Sequence, residues 1–165
     1  MLMRSVSIKL LALLGLSLAA GNVGAQTLTF NLTGNILPGV CRFSVSDVDL
    51  GTFYATEFTA VGTTKAWVNV PVASSGCDPL VTVIHMGISG TADVADASQF
   101  RGVAGIGIEL QSGTGTAIRP AGTNINFTAA SGAANYMLRA RFRQTAAVVA
   151  AGTVRSPVTI QVTYN

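Results

Sequence analysis

The sequence has little of what proteins use for acid–base or metal chemistry. It contains one histidine, His85, and seven carboxylates scattered along 165 residues. With no second histidine and no thiol beside it, His85 has neither a ligand set nor a catalytic partner, and its alternation with Val81 and Val83 makes it a strand residue. No two carboxylates are placed as an acid–base couple. Serines are plentiful, but none sits in a GxSxG elbow. Gly105 and Gly107 lie in a strand pattern with no helix after them, so they build no phosphate loop. The two cysteines, Cys41 and Cys77, are too far apart for a CxxC redox or zinc pair. These absences argue against an enzyme, a cofactor protein and a metal protein. Charge is scarce too: charged residues make up 10% of the chain. Beyond the first 25 residues no segment carries convincing helical periodicity.

The N-terminus reads as a signal peptide over residues 1–25. Arg4 and Lys9 form a basic start, Leu10–Ala20 is apolar, and Val23-Gly24-Ala25 offers small residues before a cut after Ala25. The apolar run is about half of the roughly 20 residues that span a bilayer, so the mature chain is expected to keep no membrane span. Cleavage removes two of ten basic residues and none of the seven acids. The mature net charge is then about +1, and the sequence pI of 9.2 gives no reason to expect a nucleic-acid partner. Export into an oxidising compartment makes a Cys41–Cys77 disulfide the expectation.

Turn residues punctuate the rest, and short segments of period-two alternation lie between them. Leu28, Phe30 and Leu32 alternate with Thr and Asn. Cys41, Phe43 and Val45 form a second set, and Ala66, Val68, Val70 and Val72 a third. Residues 80–88 make an apolar run. Ile106, Ile108 and Leu110 share a face. Leu138, Ala140 and Phe142 oppose Arg139, Arg141 and Arg143, which read as a solvated stripe. Val158, Ile160, Val162 and Tyr164 come last. About eight short strands are predicted, with 92–100 as a helical turn or loop and the alanine-rich 129–134 and 146–151 as loops. Asn31-Leu32-Thr33 and Asn126-Phe127-Thr128 match the glycosylation sequon by pattern. Trp67 falls opposite the Ala66–Val72 stripe and is expected to be packed. This is the pattern of an all-β sandwich. An alternating segment ahead of the first cysteine, and a last strand running to Asn165 with no closing strand after it, suggest strand exchange between molecules.

At these residues the chain resembles the type 1 pilin family of chaperone–usher fimbriae, over nearly all of the mature sequence. Leu28, Phe30, Leu32, Gly34 and Ile36 match the family's N-terminal donor strand, with Cys41 following at its usual distance. Asp49-Leu50-Gly51, Gly76-Cys77, Gly105–Leu110 and Leu138–Phe142 match later motifs. The C-terminus matches most specifically: Gly152 is fourteenth from the end, Val158, Ile160 and Val162 alternate, and Tyr164 is penultimate, before Asn165.

The resemblance implies an incomplete immunoglobulin-like sandwich lacking its final strand and completed by donor-strand complementation. The implied layout is a donor extension at 26–37 and a pilin body at 38–165. Gly152, Val158, Ile160, Val162, Tyr164 and Asn165 would face the chaperone and then the donor strand. Implied partners are a periplasmic chaperone, an outer-membrane usher and neighbouring subunits, with fimbriae on the cell surface as the destination and cell adhesion as the role. The Gly51–Tyr54 to Ala66-Trp67 stretch leans toward a minor adaptor rather than a major shaft pilin. The competing reading is a secreted carbohydrate-binding β-sandwich, which requires a complete fold.

Overall fold

The computed structural model describes residues 27, 29–35, 40–130 and 134–164. The signal-peptide assignment, Leu28, Ile36 and Asn165 lie outside them. The chain divides into two units after Asn35. In the first, the described residues carry no strand, and Phe30 and Leu32 are 80% and 88% exposed.

The second unit is built from strands and one 3-10 turn, Ala55–Glu57. In chain order the strands are β1 (Arg42–Val45), β2 (Val68–Ser75), β3 (Val83–Gly90), β4 (Phe100–Arg101), β5 (Ile106–Ser112), β6 (Ala117–Ile118), β7 (Thr123–Thr128), β8 (Tyr136–Gln144) and β9 (Val158–Tyr164). All pair antiparallel. The larger sheet runs β1-β2-β8-β5-β4, and β6 also pairs with β5; the smaller runs β7-β3-β9. The short β4 and β6 share one edge of β5, at Gly107–Ile108 and at Leu110–Gln111.

Period-two alternation sends one face of each sheet inward. From the larger sheet come Val72, Leu110, Ile118, Leu138 and Ala140; from the smaller come Ile84, Met86, Ile88 and Ile125, all buried in one cluster. Cys41 and Cys77 are bonded to each other, each 8% exposed, and clamp the end where β1 meets β2. Closing that loop stabilises the fold by roughly 4 kcal/mol in the chain-entropy account.

The structure corrects several sequence expectations. β7 was not predicted, although Ile125 and Phe127 point inward in alternation with Asn124, Asn126 and Thr128. β4 and β6 are too short to carry a period and exist through their pairing with β5. The apolar run at 80–88 becomes strand only at Val83: Asp78 accepts from Leu80 N at 2.8 Å and from Val81 N at 3.0 Å, forming a turn that leaves Leu80 74% exposed. Ala66 precedes β2 and is exposed, and Val45, at 49%, does not share the burial of Cys41. Of the two readings of 92–100 the loop holds: residues 93–99 form bends and turns, and Ala92 bridges to Phe100.

Candidate functional site

β9 is paired on one side only. Its register with β3 sets Ile160 against Ile88, Val162 against Met86 and Tyr164 against Ile84. Paired residues share a face, so these β9 side chains point into the core. Their β3 partners are fully buried, yet Ile160, Val162 and Tyr164 remain half-exposed and Val158 is 39% exposed. The asymmetry has a simple cause: among the described residues nothing pairs with the other edge of β9.

A second unpaired stretch follows β1. Among the described residues the backbone of 46–53 makes no hydrogen bond to another backbone segment. Asp49 Oδ1 accepts from Gly51 N at 2.8 Å, and Gly51 takes a φ of 93°, which a side chain would strain. Val48, Leu50 and Phe53 of this stretch and Gly152, Thr153, Val154 and Ser156, just ahead of β9, line one cleft of about 460 Å³. Ile106, Ile108 and Phe142 also line it. Gly152 sits at its wall, where a Cβ would come within 3.1 Å of Val103 Cγ1.

Aromatic packing closes one end. Phe53 meets Phe58 and Phe142 edge-on, with centroids 6.5 and 6.1 Å away. Lys65 Nζ lies 4.8 Å from the Phe53 ring centroid and 4.7 Å from that of Phe58, and donates to Glu57 Oε2 at 2.9 Å. That bond, with a second from Tyr54 N at 2.7 Å, holds the Glu57 carboxyl below its usual range. The charge pair anchors the 3-10 turn beside the cleft.

Val158, Ile160, Val162 and Tyr164 thus lie along β9, whereas Gly152 lies at the wall of the cleft ahead of it. Gly34 belongs to the first unit, and among the described residues a Cβ there meets no atom within 4 Å. Val48, Leu50 and Phe53 were not predicted as site residues; the alternation of Val48 with Leu50 was the available signal. His85 lies on the outer face of the smaller sheet, with Nδ1 2.8 Å from Asn126 Oδ1. Among the described residues no cluster of His, Cys, Asp or Glu suits a metal ion. No described helix is long and apolar enough to cross a membrane.

A family profile described as "Fimbrial protein" matches residues 30–165. The S-fimbrial adhesin protein SfaS of Escherichia coli O6:K15:H31 is 32% identical over 139 residues, covering 82% of this chain and 84% of the relative. The fimbrial subunit type 1 of Salmonella typhimurium is 26% identical over 152 residues, covering 83% and 82%. Among solved structures, the P pilus rod subunit PapA superposes with a TM-score of 0.64 at 15% identity, over 74% of this chain and 99% of that one. A chain from a chaperone–usher pilus gives 0.63 at 15% identity, over 87% and 97%. At such identity the structural likeness speaks to the fold, an incomplete immunoglobulin-like sandwich.

Proposed function

Because the chain belongs to the fimbrial protein family, we propose that this fimbrial subunit polymerises by donor-strand exchange. Residues 26–37 leave their own subunit and fill the open margin of a neighbour. The observation that carries the reading is β9, whose inward side chains stay half-exposed beside an unpaired edge.

The physical case has two parts. An open strand edge is a template for pairing, and an added strand satisfies its N–H and C=O groups. Eleven extended residues span roughly 36 Å, ample for the seven-residue β9. The donor's alternate side chains then supply what the margin lacks. Leu28, Phe30, Leu32 and Ile36 each contribute about 1.5–3 kcal/mol on full burial, before the cost of ordering the strand. In this reading Gly34 meets a shallow part of the neighbour's groove.

An unfilled edge also needs protection before assembly. A periplasmic chaperone covers β9 first, the outer-membrane usher hosts the exchange, and the product is a fimbrium on the cell surface that serves adhesion. The 51–67 stretch favours a minor adaptor, so immunogold label is expected at fibre tips; label along the shaft would instead make the chain the major pilin. For the exchange itself, a chain lacking residues 26–36 is expected to keep its groove and bind an added donor peptide while failing to insert into the subunit ahead. Normal fibre extension by the truncated chain would overturn the proposal.

A further inference from the structure

The outer face of the larger sheet gathers positive charge that the assembly site does not use. Arg139, Arg141 and Arg143 alternate along β8 and point outward, since Leu138 and Ala140, on the opposite face, are buried. Register brings two more residues to the same face. Arg101 pairs with Gly107, which pairs with Arg143. Trp67, just before β2, lies beside Arg141, because Val68 pairs with Ala140.

The contacts show which charges are already compensated. Glu109 Oε2 accepts from Arg141 Nε at 2.8 Å and lies 3.7 Å from Arg143 Nη1. Asp96 is near enough to Arg143 to feel its charge. With its amide oxygen turned toward Arg139, Gln111 accepts from Nε at 2.6 Å and Nη2 at 2.9 Å, which orients that guanidinium without neutralising it. The Trp67 ring carries two cations at once, with the Arg141 and Arg139 guanidinium carbons 4.1 and 5.0 Å from its centroid. Arg101 is exposed and has no ion pair among the described residues. Four guanidiniums therefore face two carboxylates, leaving a local charge of +2.

The shape of this charge matters as much as its sign. Outward residues two apart on a strand are about 7 Å apart, so Arg139 to Arg143 makes a row of roughly 14 Å. A row of cations pre-oriented by an indole, an amide and a carboxylate matches a linear polyanion better than a single carboxylate. A fibre displayed outside the cell meets such chains as acidic sugars. We propose that this face binds an acidic polysaccharide, one bearing sulfates or carboxylates along its length. The proposal rests on surface display and not on strand exchange.

The test passes purified fibres containing the chain over immobilised heparin in a salt series, with dextran and double-stranded DNA as parallel surfaces. Wild-type fibres are expected to bind heparin, to weaken steeply with salt, and to ignore dextran. The Arg101→Gln, Arg139→Gln double variant removes two cations that hold no carboxylate. It should bind about tenfold more weakly, with a flatter salt dependence, because fewer counterions are released. Glu109→Gln removes a competing anion and should bind about threefold more tightly. A purely structural role for Glu109 predicts no such gain, so this variant decides the matter even if the arginine variant yields no fibres. Heparin binding that is absent, or unmoved by either variant, would overturn the proposal. So would binding to DNA as tight as to heparin, which would assign the face to nucleic acid.

Discussion

Moving the proposed donor segment to the other end of the chain should make one molecule self-sufficient. Residues 26–36 are deleted from the N-terminus and reattached after Asn165 through a short flexible turn, so that the segment can pair antiparallel with β9. Phe30 is 80% exposed and Leu32 88% exposed in their present setting. Full burial of a large apolar side chain contributes about 1.5–3 kcal/mol. Scaled by four-fifths, burying Phe30 alone adds about 1.2–2.4 kcal/mol, and the half-exposed Ile160, Val162 and Tyr164 lose water at the same time. In the rearranged chain, Phe30→Ala should therefore remove about 2 kcal/mol, rising toward 3–5 kcal/mol if a cavity stays open. For a domain of this size, each kcal/mol moves Tm by roughly 2–4 °C or slightly more. Circular dichroism melts should show a gain for the rearranged chain over the unmodified one, and Phe30→Ala should cut that gain by about 4–8 °C. Phe30→Asp should abolish it, since a charge would enter an apolar groove. Equal melting of the unmodified and rearranged chains, with Phe30→Ala silent, would show that the fold needs no added strand.

Three other outcomes are expected. Replacing Cys41 and Cys77 by Ser should lower stability by up to about 4 kcal/mol, and thiol-blocking mass spectrometry of the native subunit should find neither residue alkylated. Gly34→Leu should weaken strand exchange by about 1–3 kcal/mol through overpacking, read by peptide displacement, while leaving the donor's own melting unchanged. Ser98, through its hydroxyl and then its N–H, holds the Asp96 carboxyl below its ordinary value of 3.8. A depressed carboxylate stabilises the fold above its unfolded pKa and loses that contribution as pH falls through the folded value. The protection of amides at Asp93–Gln99 against hydrogen exchange, corrected for the pH-dependent intrinsic rate, should therefore fall below about pH 4 and stay flat from about pH 5 to 7.

The sequence revealed strands where a buried face imposed strict alternation. β8 is the clearest case: Leu138 and Ala140 go in, the arginines go out, and the period survives in the residue types. β7 obeys the same rule, but its outward residues are Asn124, Asn126 and Thr128, the vocabulary of turns and sequons, which hides the period. β4 and β6 are consequences of tertiary pairing and leave no local trace. The open β9 edge and the cleft ahead of it were half legible. The β9 side chains follow from alternation, whereas the part that Val48, Leu50 and Phe53 play in the cleft depends on how the chain passes it. The arginine stripe was visible, but its engagement with Glu109, Gln111 and Trp67 follows from the register of β2, β8 and β5. Register is a property of pairs of strands, and no single segment encodes it.

The disulfide acquires a mechanical meaning when the N-terminal segment is a tether. Tension applied through residues 27–35 reaches the sandwich at Cys41, immediately before β1. β1 is held to β2 over only four residue pairs, from Arg42–Ser75 to Val45–Val72. Pulled from its Arg42 end, such a strand would unzip one pair at a time, the mode with the least resistance. The Cys41–Cys77 bond ties the entry point covalently to the C-terminal end of β2, beside the hydrogen bond that Val40 O accepts from Asp78 N at 3.1 Å and ahead of the β1–β2 ladder. β2 in turn is pinned along β8 in the middle of the larger sheet. A pull that reaches Cys41 is thus passed to a strand anchored within the larger sheet, and the four-pair β1–β2 ladder does not carry it alone.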